Sequence, residues 1–279
     1  FRLCQALPSH GVHVDVVATN ADGPADLDVP LGRPVDQRGV PVRYFQWRPR
    51  TNFAFSGALL QHLIRVRRGY DLFHVTGVFD FPSAAGALVA RTFGVPYVLS
   101  PRGSLRPWSR DQGSKMKAPF WSLVAGPNAR GAAVVHATSD DEQAEVRALL
   151  PGRPVVTIPN GIDEAEALDV PRAPRRVVFV GRLHAVKGFD VLVPALSLLA
   201  SRMPDVETLV AGPDDHGEWA RIEERLSRAR PRPNVRYLGA LDAAKRDRLM
   251  AGATALVLPS HSENFGQVVL EAMGQGTPV

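Results

Sequence analysis

The sequence predicts an α/β protein of two doubly wound domains, each a mainly parallel sheet covered by helices. Three observations carry that prediction. Short apolar or β-branched runs alternate with segments of helical length along all 279 residues, as strand–helix–strand crossover units require. The rhythm breaks once, over 164–175, where Ala, Pro and charge replace any apolar periodicity, and then restarts. In the second half, strand-to-helix junctions carry glycines beside charged residues, and the carboxyl ends of strands are where doubly wound sheets bind ligands.

In the first half the pattern gives strands at 12–18, 71–75, 97–100, 133–137 and 155–158, with helices near 55–68, 81–93 and 140–150. The second half gives strands at 176–180, 207–211, 235–238 and 255–258, and helices at 189–202, 218–229, 243–250 and from about 266. The domains therefore run 1–163 and 176–279, joined by the linker 164–175. Residues 1–7 read as the tail of a helix entering a turn, and the chain stops where a new strand is due after Gly276. A first strand before Phe1 and the C-terminal part of the second domain are expected outside the sequence.

Composition narrows the partners. A 45% hydrophobic and 22% charged chain has enough apolar material for two cores. No apolar run approaches the roughly 18 residues of a membrane span. With Cys4 as the only cysteine, no intrachain disulfide forms, and a cytoplasmic setting is expected. His10 and His13 are the only close histidine pair; no further ligands stand near them, so no metal site is expected. Net charge is +5 (33 basic against 28 acidic), yet 33–130 alone holds 15 Lys and Arg against 4 Asp, giving +11. Such a surface suits an anionic lipid or phosphorylated partner. Nucleic acid is not expected, because the aromatic signature of an RNA-binding sheet and any zinc or helix-turn-helix pattern are missing.

The strongest chemical signal is Pro259-Ser260-His261-Ser262-Glu263-Asn264-Phe265-Gly266, followed by an apolar segment and Gly274-Gln275-Gly276. Strand, polar loop, glycine and helix come in that order. Free N–H groups at the helix start favour an anion, a diphosphate above all. Glu263 lies in the loop, and Glu271 falls about one turn into the helix, so two carboxylates frame one phosphate-binding loop. A second set is Gly181-Arg182-Leu183 with Lys187-Gly188. Glycine after a buried strand permits close approach, and two cations beside it suit diphosphate neutralisation. Gly212-Pro213-Asp214 adds a third loop at the same edge.

Taken together, Gly181-Arg182-Leu183 with Lys187-Gly188, Tyr237-Leu238-Gly239, and Pro259-Ser260 with Glu263-Asn264-Phe265-Gly266 and Glu271-Ala272-Met273 resemble the donor half of glycosyltransferase family 4. Asn160-Gly161-Ile162-Asp163 matches the segment this family carries before its second domain. The resemblance implies the GT-B fold, two Rossmann-like domains facing a cleft, and sugar transfer from a nucleotide-diphosphate sugar with retained anomeric configuration. By the same resemblance, Arg182 and Lys187 hold the leaving diphosphate and Glu263 binds sugar hydroxyls. Gly181, Asn264, Phe265, Gly266 and Leu238 complete the donor site, and Glu271 takes the ribose. Neither a cofactor nor a catalytic metal is implied. The acceptor is expected to be a glycan or a lipid-linked sugar of cell-surface polysaccharide synthesis. A non-catalytic module binding nucleotide sugars or polysaccharide on the same scaffold is the alternative.

The first half matches mainly in layout. Many relatives carry a histidine after the strand at 97–100, where this chain reads Ser100-Pro101-Arg102-Gly103. Arg102 and His74, each at a strand end, are the acceptor-side candidates. Thr138, Ser139 and Glu142 read first as a helix-capping turn. Arg106, Trp108, Arg110, Lys115, Lys117, Phe120 and Trp121 interleave cations with aromatics. Such a segment suits peripheral contact with an anionic membrane surface at its inner face, or else a basic internal helix.

Overall fold

The computed structural model describes residues 2–22, 25–48, 53–106, 117–162, 168–215 and 217–279. They form two compact units, Phe1–Pro159 and Asn160–Val279. Trp108, Arg110 and Lys115 lie outside the described residues, as do Asp163 and the first part of the expected linker.

The first unit contains two main sheets. Strands β1 (Val16–Thr19), β4 (Pro34–Gln37) and β5 (Val40–Phe45) form one, in the order β1-β5-β4. β1 runs parallel to β5, and β4 runs antiparallel to it. A ribbon of β2 (Ala21–Asp22) and β3 (Ala25–Asp26) stands beside them. The second sheet is wholly parallel, in the order β6 (Phe73–Thr76), β7 (Tyr97–Ser100), β8 (Val134–Ala137), β9 (Val155–Thr157).

The β4–β5 hairpin is not announced by the sequence pattern. Its turn is Arg38-Gly39, with φ of 51° and 82°, the two left-handed residues a tight turn between twisted strands requires. Asp36 accepts the Gly39 N–H at 3.0 Å. Pro34, Pro41 and flanking arginines mask the alternation, although Val40 and Val42 are buried and Phe45 nearly so.

Helices of the first unit begin and end where their capping residues dictate. Ser56 accepts the N–H of Leu59 to start Gly57–Val66. Asp80 accepts that of Ser83 to start Phe81–Phe93, which stops at the left-handed Gly94. Phe81–Phe93 packs Ala87 and Ala90 into the parallel sheet's core and Ala85 and Val89 against Phe45, Leu59 and Leu63. Tyr97, Leu99 and Val135 fill the parallel sheet's core, each fully buried side chain of this kind contributing about 1.5–3 kcal/mol.

In the second unit β10 (Arg176–Val180), β11 (Glu207–Ala211), β12 (Asn234–Tyr237) and β13 (Ala255–Leu256) form one parallel sheet in the order β12-β11-β10-β13. Side chains alternate across it. Phe179 and Val210 meet Leu192, Leu196, Ile222 and Leu226 of helices Phe189–Arg202 and Glu218–Arg228 on one face. Val178, Leu209 and Leu256 meet Met250 and Ala272 on the other. Helices on both faces make the sheet doubly wound, and every β10-to-helix or β13-to-helix loop opens on its carboxyl edge.

Candidate active site

Three loops meet at that edge, and two glycines let them touch. Gly212, with φ of 148°, lies so close to β10 that a Cβ would stand 1.9 Å from the Gly181 carbonyl oxygen. Gly188, with φ of 71°, ends the short turn Ala185–Lys187, and a Cβ there would stand 2.0 Å from the carbonyl oxygen of Pro259. No other residue fits either place. Hydrogen bonds then tie the loops together: Gly181 N–H to Ala211 O at 2.9 Å, Leu183 N–H to Pro213 O at 2.9 Å, and His261 N–H to Val186 O at 2.8 Å.

The charged groups follow from this frame. Lys187 Nζ meets Glu263 Oε1, an ion pair across two loops whose side chains are 18% and 30% exposed. Ser260 Oγ donates to the same Glu263 oxygen at 2.7 Å. Arg182 stands farther out, 65% exposed and 3.7 Å from Asp215, where an exposed pair contributes little stability and leaves the guanidinium available to a ligand. Behind the loop, His261 Nε2 lies 2.8 Å from Asp190 Oδ1. That hydrogen bond holds the Asp190 carboxyl below its usual range.

Gly266 takes the left-handed conformation, φ 69°, directly before helix Gln267–Gly274. Asn264 and Phe265 lie half-buried in the bend before it. Glu271 sits on that helix with a side chain 15% exposed, 3.4 Å from Arg246. No sequence signal singles out Arg246; it belongs to helix Ala243–Ala251, 25 residues away along the chain, and only the fold pairs them. Leu238 follows β12 and bonds Val210 O through its N–H. Asp214 acts structurally. Its carboxylate accepts the N–H groups of Glu218 and Trp219 at 2.6 and 3.1 Å and so caps helix Glu218–Arg228.

In the first unit, His74 and Arg102 both lie at the carboxyl edge of the parallel sheet. His74 Nε2 is 2.9 Å from Ser100 Oγ. Surrounding protein, then His136, then Arg102 lower its pKa from the ordinary imidazole value. Arg102 has a left-handed backbone, φ 53°, in a turn fixed by Glu142. This buried carboxylate, 1% exposed, accepts the N–H of Gly103 at 2.6 Å and the N–H and hydroxyl of Thr138 at 2.8 and 3.0 Å. Ser139 caps helix Asp140–Leu149 through the Glu142 N–H. The capping role read from Thr138, Ser139 and Glu142 is present, and the same glutamate also clamps the loop that bears Arg102. A second clamp is Arg106 with Glu145 at 3.1 Å.

Phe120 and Trp121 turn inward. Both pack against the first unit's core, Phe120 edge-on to Phe53 at 5.4 Å. Lys117 lies over the Phe79 ring at 5.5 Å. The described part of the basic–aromatic segment therefore uses its aromatics for packing, as the internal-helix reading expects. Among the described residues no helix is long and apolar enough to cross a membrane.

Residues 1–161 match the family model for a glycosyl transferase 4-like domain, and 163–279 match the model for glycosyl transferases group 1. The chain belongs to the glycosyltransferase 4-like family. This glycosyltransferase is 27% identical, over its whole length and 72% of the relative's, to the D-inositol 3-phosphate glycosyltransferase of Jonesia denitrificans. Over 46% of the chain it is 38% identical to the phosphatidyl-myo-inositol mannosyltransferase of Mycolicibacterium smegmatis, and that match spans 34% of the mannosyltransferase. Among solved structures, Anabaena Alr3699/HepE in complex with UDP and glucose superposes with a TM-score of 0.70 at 20% identity, covering 96% of this chain and 80% of that one. Sucrose-phosphate synthase from Thermosynechococcus elongatus gives 0.70 at 21% identity, covering 100% and 73%. The fold is the GT-B fold, two Rossmann-like α/β units.

Proposed function

We propose that this glycosyltransferase moves a sugar from a nucleotide-diphosphate sugar to a hydroxyl of a glycan or lipid-linked acceptor, with retained configuration at the anomeric carbon. The observation that carries the reading is the Lys187–Glu263 pair, held between two loops whose contact depends on Gly188 lying against Pro259. A donor entering this edge finds a cation for its diphosphate and, beside it, a carboxylate for sugar hydroxyls.

In this reading Arg182, Lys187 and the start of helix Gln267–Gly274 stabilise the charge that develops as the bond from the anomeric carbon to the diphosphate breaks. The acceptor oxygen bonds to the anomeric carbon on the face the diphosphate leaves, and the acceptor proton passes to a departing phosphate oxygen. Glu263, with the backbone of Asn264, Phe265 and Gly266, holds the sugar. Glu271 takes the ribose, and Gly181 and Leu238 let the nucleotide approach the sheet edge. With two cations and a helix end in place, no divalent ion and no protein nucleophile is required; the two carboxylates bind donor rather than acting as the acid and nucleophile of a hydrolase. The UDP and glucose bound by the Anabaena structure support the donor class, and the relatives, a D-inositol 3-phosphate glycosyltransferase and a phosphatidyl-myo-inositol mannosyltransferase, support sugar transfer. The acceptor belongs, in this reading, to cell-surface polysaccharide synthesis on the cytoplasmic side of the membrane.

Nucleotide binding tests the site. Calorimetric titration of the full-length protein with UDP, GDP and ADP in EDTA should show saturable binding of at least one, weakened tenfold or more in Lys187→Ala. Binding of none, or equal binding by the variant, would overturn the assignment.

A further inference from the structure

The second unit's charged groups stand on two loops, 181–188 after β10 and 259–266 after β13. Gly188 touches Pro259 backbone to backbone, and polar ties cross beside that contact. Lys187 Nζ meets Glu263 Oε1. The His261 N–H donates to Val186 O at 2.8 Å. His261 Nε2 lies 2.8 Å from Oδ1 of Asp190, in the first turn of helix Phe189–Arg202. The last two ties come from one residue, and their partners stand one position before Lys187 and three after it. His261 thus grips the segment that bears Lys187 from both sides.

A ligand would treat these ties differently. On the donor reading, Lys187 turns to the diphosphate and Glu263 to sugar hydroxyls, so their mutual pair is shared or given up as the donor enters. The partners of His261 have no such part. The His261 hydrogen bond is the first cause that holds the Asp190 carboxyl below its usual range, so Asp190 is ionised at neutral pH and only accepts. Nε2 then donates to it whether the imidazole is neutral or protonated. The two side chains are 41% and 50% exposed, and an exposed pair adds little to the stability of a fold. Its effect is on position. Lysine carries its charge on a flexible stem, and a backbone fixed on either side of it confines where that charge can go.

We infer that His261 and Asp190 are positioning residues, whose bond keeps the backbone of Lys187 against the Glu263 loop when a donor draws the Lys187–Glu263 pair apart. The inference rests on the donor reading of this site.

Nucleotide binding tests it, with UDP, GDP and ADP titrated calorimetrically into the full-length protein in EDTA. His261→Ala and Asp190→Ala should each weaken the diphosphate that the unaltered protein binds by about threefold to fivefold. The double variant should lose no more than either single one. Removing the Asp190 charge by itself favours an anion, so a loss in Asp190→Ala reports position and not charge. His261→Gln, whose amide donates from a similar reach, should recover most of the loss. In a Lys187→Ala background, His261→Ala should change nothing further, because the bond acts through that lysine. Each surface variant should unfold within about 2 °C of the unaltered protein. Unchanged or tighter binding in Asp190→Ala would overturn the inference, as would an equal loss from His261→Ala with and without Lys187, which marks a merely structural tie. Both results leave the donor reading standing. A protein that binds none of the three nucleotides overturns that reading and the positioning role with it.

Discussion

At the carboxyl edge of the second unit's sheet, backbone meets backbone: Gly212 against Gly181 and Gly188 against Pro259, with no room for a side chain. At the same edge of the first unit's sheet, side chain meets side chain, in the His74–Ser100–His136 line and the Glu142 clamp. The difference is one of sequence range and of permitted residues. Backbone contact admits only glycine and so writes a fixed motif, whereas a side-chain network can be built from several residue sets. A diphosphate needs the first kind, because only bare backbone approaches it closely.

The largest expected effect tests the backbone half of that contrast. Gly212→Ala and Gly188→Ala should each destabilise the second unit by about 4 kcal/mol or more, since a left-handed or extended glycine-only conformation and a carbonyl overlap must both be relieved. Thermal unfolding that matches the unaltered protein would show that the loops yield easily and that the glycines are not required by contact.

Lys187→Ala comes next, with turnover expected to fall by about a hundredfold to a thousandfold while folding is kept, because one preorganised charge is lost from the leaving group. Arg182→Ala should fall in the same range, its exposed pair with Asp215 leaving it free to turn to a diphosphate. Steady-state rates near those of the unaltered protein would remove either residue from the role.

These two sites show what the sequence disclosed. Strand and helix order in the second unit was legible to within a residue or two, because the central strands β10 and β11 are largely buried and read as apolar runs, such as Val177-Val178-Phe179-Val180. The loops were legible as motifs for the reason just given. By contrast, the β4–β5 hairpin hid behind prolines and arginines, and its turn is Arg38-Gly39 rather than the commoner Asn-Gly. Gly103, which Glu142 clamps, and Ser100, which His74 meets, lie 39 and 26 residues away, and no local spacing announces them. Phe120 and Trp121 left two readings open: an aromatic beside a cation looks the same in a sequence whether it faces lipid or the core, and here both rings pack against the core.

Glu142→Gln probes the side-chain half. One oxygen of the carboxylate accepts from Gly103 and the other from Thr138, so an amide nitrogen must face a donor at one of them. The cost should be about 2–3 kcal/mol, or roughly 5–10 °C in Tm. A Tm within a degree of the unaltered protein would show that the clamp contributes little. The smallest effect concerns the basic segment: Lys115→Glu with Lys117→Glu should weaken vesicle binding by about 1 kcal/mol per residue if an anionic lipid surface is a partner. Sedimentation with phosphatidylserine vesicles that is unchanged by the double replacement would confine that segment to packing.

The central claim is that the second unit's loops move a sugar from a nucleotide-diphosphate donor without inverting it. Incubating the full-length protein with a panel of nucleotide sugars and glycan or lipid-linked acceptors, and following nucleotide release together with the anomeric NMR signal of the product, tests it in one measurement. The account predicts that one donor is consumed in EDTA, with one nucleotide released per glycoside formed and the donor's anomeric configuration kept. Saturable donor binding with no consumption against every acceptor, or a product of inverted configuration, would contradict it.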